Sequence, residues 1–460
     1  MREHPVRGGH RQLAMCDVRL GARASEEAGR QRGRYWINSE PRSGVTPSWL
    51  RSHAGEKLRF SANVRLMRRT LILSLLWISI LPGFAAGKHR YLFVWVGDDD
   101  KKASDFLTVI DADPASAKYG QVVATAPTGT AAAVPHHTED SLPPNQHLLA
   151  NGFEAGETWL FDLREPLVPR VLTSFGELDG YNHPHTYIRL RNGDVVATFQ
   201  YHGDHHTGGL VEFDERGKVI HSGSAVDPHA PNLLIEPYSV VALPAIDRAI
   251  STDTSMMDHA RRPGGKVQLW RLSDLKLLST FELPPGPHRT ENQWTGEPRL
   301  LADGSVYVHT FHCGLYRLTA LETTSPHASF VHRFEGDGCG VPIVISHWWL
   351  QTVPEAHAVV TLDIADADHP REVGRLTLDE KQGPHWIALE PGGKRIVINS
   401  GEYAEHRVFI ANFNPQTGSL TLDERFRDRG SNRPGVSMDG KRWPHGFKGN
   451  AYPHGAVFSR

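Results

Sequence analysis

The chain has few cysteines, little net charge and little helical periodicity, and each of these limits the class of protein that it can be. Only three of its 460 residues are cysteines, so a thiolate-rich metal site is excluded. The formal net charge is −2, which provides no long-range field to attract a nucleic acid or an anionic membrane surface. After the N-terminal region no segment has a sustained helical period, so the chain does not have the pattern of a helical fold.

Glycine, proline and histidine are plentiful instead. The 43 glycines and 31 prolines, with a hydrophobic content of 39%, favour many short strands joined by tight turns. The 27 histidines are far above ordinary usage. Because histidines can accumulate harmlessly on a surface, their number matters only through their positions.

A proline followed by an apolar strand recurs seven times, at intervals of 42 to 69 residues. The spacing is typical of β-propeller blades with loops of variable length. Histidine follows the proline in four of the seven pairs. The pairs are Pro135-His136, Pro184-His185, Pro237-Tyr238, Pro298-Arg299, Pro342-Ile343, Pro384-His385 and Pro453-His454.

Each marked phrase is followed by short alternating runs separated by turns such as RNGD, ADGS and PGGK. We therefore predict an all-β fold, a seven-bladed β-propeller occupying residues 88–460. The runs YLFVWVG and DFLTVIDAD precede the first marked proline, and GAVFS ends the chain. We expect them to form one closing blade shared by both termini, which removes exposed sheet edges.

Propeller topology puts the start of each first strand on the same face as the loop between the second and third strands. Those loops carry further histidines, among them His202, His205, His206, His309 and His312. The opposite face carries the small turns, so one face of the predicted propeller is rich in histidine.

The marked histidines of four neighbouring blades can converge at the mouth of the central channel and bind a metal. The candidate ligands are His136, His137, His185, His385 and His454, although His137 would point away if this segment is a regular strand. A set of imidazole ligands alone suits copper, with zinc as the alternative. Because an imidazole must be neutral to bind a metal, we expect metal binding to weaken below about pH 5. The competing interpretation is that Pro-His only opens a strand, with each imidazole hydrogen-bonded to a loop.

Two marked residues each follow a glutamate, giving the pairs Glu236 and Tyr238, and Glu297 and Arg299. These four are the candidate catalytic residues, because groups of this kind opposite a metal can orient a small substrate or act as acid and base. Glu297 and Arg299 can equally form a purely structural ion pair.

The N-terminus predicts export. Residues 67–86 begin with Met67, two arginines and about a dozen apolar residues, which resembles a signal peptide and is too short for a membrane span. Residues 1–66 are interpreted as a disordered or mis-assigned upstream extension, and the alternative is an uncleaved anchor. A periplasmic or secreted protein would retain Cys313 and Cys339, which either form a disulfide or remain two buried thiols.

Several phrases between about residues 91 and 420 resemble the selenium-binding protein family, which includes methanethiol oxidases. They include FLTVIDADPASAKYGQVVATAP, the His136-His137 pair, NHPHTYIRLRNGDVVAT and GPHWIALEPGGKRIVINS. The resemblance implies a seven-bladed propeller and an exported copper enzyme that converts methanethiol and oxygen to formaldehyde, hydrogen sulfide and hydrogen peroxide. It also implies that His136, His137 and His185 are metal ligands. The cysteine cluster that follows the His-His pair in the animal proteins is absent here, where the segment reads HHTEDSLPPNQH, and this puts selenium binding in doubt.

Three functions follow as hypotheses. The first is an exported copper oxidase of a small thiol. The second is a lactonase-like hydrolase, because PHWIALEPGGKRIVINSGEY and FNPQTGSLTL also resemble blades of that propeller class. The third is a non-enzymatic periplasmic metal carrier or protein-binding platform, a role that propellers often have.

Overall fold

The computed structural model describes residues 89–257, 264–401 and 405–460. The predicted extension and signal peptide, residues 1–66 and 67–86, lie outside the described residues. Within those ranges the only helices are two short 3₁₀ turns, at Pro244–Ile246 and Pro354–Ala356. No helix in the described part of the chain is long and apolar enough to cross a membrane.

The described strands form seven antiparallel sheets of four or five strands, which confirms the seven-bladed propeller, and one separate two-stranded hairpin. The first three blades in chain order contain the strands β1 (Tyr91–Asp98), β2 (Ser104–Asp111), β3 (Val122–Ala131); β4 (Pro135–Thr138), β5 (His147–Gly152), β6 (Glu157–Asp162), β7 (Arg170–Phe175); and β8 (Tyr181–Arg189), β9 (Val195–His202), β10 (Gly209–Phe213), β11 (Val219–Ser224).

The next two blades contain β12 (Pro237–Leu243), β13 (Arg248–Asp253), β14 (Lys266–Arg271), β15 (Lys276–Glu282); and β16 (Thr295–Leu300), β17 (Val306–Thr310), β18 (Gly314–Thr319), β19 (His327–Arg333). The last two contain β20 (Pro342–Ile345), β21 (Trp348–Val353), β22 (Ala358–Asp363), β23 (Arg371–Thr377); and β24 (Trp386–Leu389), β25 (Arg395–Asn399), β26 (Arg407–Phe413), β27 (Leu420–Leu422), β28 (Val436–Ser437). A small hairpin, β29 (Lys441–Arg442) and β30 (Lys448–Gly449), precedes β31 (Ala451–Phe458).

The ring closes through one blade shared by both ends of the propeller. Strand β31 pairs antiparallel with β1, in the sheet order β3-β2-β1-β31, with Leu92 opposite Phe458. The predicted closing blade is therefore confirmed, and the first and last strands protect each other's edges.

Side chains that alternate along a strand build the hydrophobic core between neighbouring blades. Leu92, Val94 and Val96 of β1 pack in one buried cluster with residues of the β24–β28 blade. Phe93 and Trp95, the residues between them, pack in a second cluster with the β4–β7 blade. Because successive side chains point to opposite faces, one strand serves both neighbouring blades, and each sheet is buried on both faces.

A bulge interrupts five of the seven inner strands close to the marked prolines. In β4 the pairing steps from Pro135 to Thr138 while β5 steps from Gly152 to Ala150, so two residues oppose one. The inner strands β8, β12, β16 and β31 have the same irregularity. Proline has no N–H to donate to a sheet, which makes it compatible with a position beside a bulge.

The two cysteines of the propeller form a disulfide, Cys313–Cys339, which settles the alternative left open by the sequence. Both are fully buried. Cys313 lies between β17 and β18, and Cys339 lies in the connection that leads to β20.

Candidate metal centre

The bulge in β4 explains how two consecutive histidines reach one site. In a regular strand His136 and His137 would point to opposite faces, but both oppose the single residue Asn151. Their rings are stacked with centroids 4.6 Å apart. Each also lies close to His185 of β8, at centroid distances of 4.7 and 4.1 Å.

The structure brings all five predicted metal ligands together. Nitrogens of His136, His137 and His185 lie within 4.8 Å of one another, a spacing that can hold a metal ion. The ring of His454 lies 4.0 Å from that of His136. His385 is one step further out, half-buried just before β24, with its centroid 4.7 Å from that of His454.

The nitrogens of this cluster fit a metal. Nε2 of His137, Nε2 of His185 and Nδ1 of His454 are buried and have no hydrogen-bond partner among the described residues. An imidazole nitrogen left without a partner in the interior costs free energy, and a metal ion would use its lone pair. His137 and His185 also belong to the group whose ligand nitrogens lie within 4.8 Å of one another, which favours metal binding over the purely structural interpretation of Pro-His.

Neighbouring groups hold the backbone and rings in place. Asn151 accepts a hydrogen bond from the backbone N–H of His137 and donates one to the carbonyl of Pro184, both at 2.6 Å. It thereby ties the two ligand-bearing bulges of β4 and β8 together. The amide of Asn399 donates to the carbonyl of His454 in the same way.

The surroundings of the cluster favour the neutral form of its imidazoles. Burial lowers the pKa values of His137, His185 and His454 well below the ordinary range, and neighbouring histidines add to this effect. Burial also lowers the pKa of His385 to about 4. Neutral imidazole is the form that binds metal, so protons compete with a metal ion here less than they would at free imidazole.

An aromatic wall surrounds the histidines. The ring of Tyr238 lies 3.9 Å from that of His185, and Trp386 lies 5.0 Å from His137. Phe311 packs against Tyr238 at 5.4 Å. Burial, with the nearby Glu297 carboxylate, raises the pKa of Tyr238 well above 10, so its phenol keeps its proton.

The predicted catalytic residues separate into three places. Tyr238 and Glu297 lie beside the histidines, with Glu297 Oε1 3.8 Å from Nδ1 of His137. Glu236 turns toward the rim, where Oε1 is 2.9 Å from Nδ1 of His206. Arg299 extends toward the opposite mouth and lines a cavity of about 560 Å³ there.

Glu297 and Arg299 do form an ion pair, as the structural alternative predicted. Arg299 Nη1 donates to Glu297 Oε2 at 3.0 Å, and its Nη2 lies 3.4 Å from the exposed carboxylate of Asp140. Ser239 also donates to Glu297 Oε2. The other oxygen of Glu297, Oε1, is buried without a hydrogen-bond partner in the described part of the chain, so the pair does not use the whole carboxylate. Burial raises the pKa of Glu297.

Sequence reasoning placed His309 in a rim loop, whereas it lies on β17 and is buried. It opposes the bulge at Gly296 and Glu297, and burial lowers its pKa to about 3. A Cβ on Gly296 would lie 2.4 Å from Nε2 of His309, so the glycine makes room for the ring. In the sequence, the glycine directly before Glu297 is the feature that could have indicated a buried ring packed against this position.

Part of the chain is similar in sequence to a known protein. No protein-family model matches the chain. It is 26% identical over 236 residues to a methanethiol oxidase of Hyphomicrobium sp, a match that takes in 46% of this chain. The chain spans about half the length, 52%, of that curated relative.

A solved structure, described as a hypothetical selenium-binding protein from Sulfolobus tokodaii, matches with a TM-score of 0.64 at 14% identity. It covers 81% of this chain and 94% of that one. The chain resembles the selenium-binding protein and methanethiol oxidase family.

Other solved propellers share this fold. The periplasmic gluconolactonase of Pseudomonas aeruginosa matches with a TM-score of 0.54 at 14% identity, over 81% of this chain and 99% of that one. At that identity the likeness concerns the fold alone.

Proposed function

We propose that the chain is a copper-dependent oxidase of a small thiol. Zinc is the alternative occupant of the same site, but it has no redox chemistry and would not support this reaction. The observation that carries the proposal is the convergence of buried imidazole nitrogens of His136, His137 and His185. Nε2 of His137 and Nε2 of His185 have no hydrogen-bond partner among the described residues. The proposed ligands are His136, His137, His185 and His454, with His385 at the edge of the site. The methanethiol oxidase of Hyphomicrobium sp supports this reaction class.

A bound copper ion would supply the redox chemistry that couples oxidation of a thiol to reduction of oxygen. For a thiol RCH₂SH the balanced reaction consumes one oxygen and one water and yields RCHO, hydrogen sulfide and hydrogen peroxide. The carbon loses two electrons and oxygen gains two.

The chain's own residues have definable tasks in this proposal. The rings of Tyr238, Trp386 and Phe311 would enclose the substrate's alkyl group and exclude water. Oε1 of Glu297 faces the histidines with a raised pKa and would take the proton that the thiol loses. Arg299 and Ser239 would hold that carboxyl in place through its other oxygen.

The first experiment is metal analysis of protein exported from Met67 and purified without a histidine tag. We expect about one copper per chain, because the convergent imidazoles form one site. The double variant His136→Ala, His185→Ala should lose both the metal and thiol-dependent formation of sulfide and peroxide. His369→Ala is the matched control, since its ring is exposed and pairs only with Asp366 among the described contacts.

Stoichiometric copper retained by the double variant would contradict the assignment of these ligands. Wild-type protein that binds no metal after copper loading would contradict the oxidase itself.

A lactone hydrolase is the second candidate. The pair formed by Glu236 and His206 at the rim is a carboxylate and imidazole of the kind that can activate water, and the gluconolactonase of Pseudomonas aeruginosa has the same fold. Lactone hydrolysis that continues without oxygen and is lost in Glu236→Gln would favour this function. A firmly held metal with no catalysed reaction would instead favour the non-enzymatic carrier.

We further propose that the protein works outside the cytoplasm. The disulfide between Cys313 and Cys339 supports this location, because such bonds persist in oxidising compartments. Cell fractionation of the full chain, with N-terminal sequencing of the mature protein, tests both the location and cleavage near residue 86.

A further inference from the structure

One hydroxyl touches two of the proposed ligands. Oγ1 of Thr186 lies 3.1 Å from Nδ1 of His185 and 3.2 Å from Nδ1 of His137. Thr186 is buried in the bulge of β8, and its backbone N–H donates to the hydroxyl of Thr198 at 3.0 Å. Its side chain therefore sits on a fixed backbone between rings from two different blades.

The surroundings of His185 determine which of its ring nitrogens carries the proton. Nε2 of His185 is buried and has no hydrogen-bond partner among the described residues, whereas Nδ1 lies within hydrogen-bond distance of the Thr186 hydroxyl. A proton at Nε2 would be a buried donor without an acceptor, whereas a proton at Nδ1 can be donated to Thr186. Thr186 therefore accepts from Nδ1 of His185, and Nε2 keeps its lone pair.

A hydroxyl oxygen has two lone pairs, so Thr186 can accept a second hydrogen bond, from Nδ1 of His137. Glu297 Oε1 lies 3.8 Å from that nitrogen, beyond hydrogen-bond distance, and does not replace the hydroxyl. With both Nδ1 atoms protonated, the lone pairs of both Nε2 atoms are available.

We propose that Thr186 is a positioning residue that fixes the tautomers and ring orientations of His137 and His185 for metal binding through Nε2. The inference rests on the proposed function, since it concerns ligands of the same metal site. Groups that orient ligating imidazoles in this way typically change metal affinity by 10–100-fold.

Thr186→Val tests this directly, because valine keeps the branched shape and removes the hydroxyl. We expect copper(II) affinity, measured by chelator competition, to fall about 10–100-fold, with an altered electron paramagnetic resonance spectrum. Thr186→Ser, which keeps the hydroxyl, should restore both. Thr361→Val is the matched control, because the buried Thr361 hydroxyl has no hydrogen-bond partner among the described residues.

Wild-type affinity and spectrum in Thr186→Val would overturn the inference. If that variant does not fold, Thr186→Ala removes the hydroxyl without adding bulk, and the same comparison applies.

A second readout does not depend on metal. Nitrogen-15 spectra of histidine-labelled, metal-free protein should show His137 and His185 protonated at Nδ1, with the His137 signal changed in Thr186→Val. Unchanged tautomers would contradict the role of Thr186. Failure of wild-type protein to bind copper or zinc would contradict only the proposed function.

Discussion

At the scale of single residues, the site depends on how the bulges are satisfied. The backbone N–H of the second residue after the marked proline donates to a side chain of the adjacent strand in three blades. The donors and acceptors are His137 and Asn151, Thr186 and Thr198, and Ser239 and Thr252. Polar side chains opposite the bulges thus replace the lost ladder bonds, which would otherwise leave buried N–H groups unpaired.

Asn151→Ala should weaken both the fold and the metal site. It leaves the His137 N–H and the Pro184 carbonyl without their partner, a loss of about 1–3 kcal/mol in the free energy of unfolding. Copper affinity should also fall, because the two bulges are no longer tied. Urea unfolding and chelator competition measure the two effects. An unchanged urea midpoint would show that water replaces the amide completely.

Proton competition at the ligands is also a property of individual residues. Because burial holds the pKa values of His137, His185 and His454 well below 6.5, metal should be retained at lower pH than free imidazole allows. Metal loss, which the sequence predicts below about pH 5, should therefore occur only at a more acidic pH. Copper release followed by absorbance during acid titration tests this. Half-release at pH 6 would contradict it.

At the scale of elements, the disulfide restrains the segment that carries Phe311, one of the aromatic residues beside the histidines. Cys339 donates its backbone N–H to the carbonyl of Phe311 at 3.1 Å, and Phe311 packs on Tyr238. The link between Cys313 and Cys339 therefore restrains the segment that follows β17 as well as the approach to β20.

Replacing both cysteines by serine should lower the free energy of unfolding by about 3–4 kcal/mol, because the bridge closes a loop with a sequence separation of 26 residues. Urea denaturation of the oxidised wild type and of the double variant measures the difference. Since Phe311 is two residues from Cys313, the Michaelis constant for a thiol should rise as well. Equal stability of the two proteins would contradict the structural role of the bridge.

At the scale of the whole molecule, the propeller stays closed because its last strand completes its first sheet. Removing residues 451–460 would delete β31, expose the edge of β1 and remove His454 from the site. The truncated chain should therefore aggregate, as expected for an exposed apolar strand edge. Light scattering and circular dichroism would detect this. A monomeric, folded truncation product would show that closure is dispensable.

The metal-free molecule should lose stability as pH falls from 6.5. His309 and His385 have folded pKa values of about 3 and about 4, lowered by burial, against 6.5 when exposed. The unfolded chain therefore binds more protons below pH 6.5, and the linkage relation makes unfolding easier as pH decreases. Urea midpoints between pH 7.5 and pH 4.5 measure the trend. Increasing stability over that range would contradict the burial of neutral histidines.

Local sequence patterns predict much of this architecture. Alternating strands, turns such as RNGD and PGGK, and the recurring proline predicted seven blades and their closure, and the structure confirms both. These features are readable because strand period and turn chemistry depend on neighbouring residues only.

The sequence by itself also identified the five histidines that the structure brings together. Four of them stand at the position after the marked proline, and His137 was added as the neighbour of His136 and through the family resemblance. Only the tertiary structure decided that His136 and His137 face the same point, that Glu236 turns away to His206, and that Thr186 joins two rings. Each of these depends on a bulge or on a contact between strands far apart in the chain. Side-chain direction at such places is set by pairing across the sheet and packing between blades, which no local pattern records.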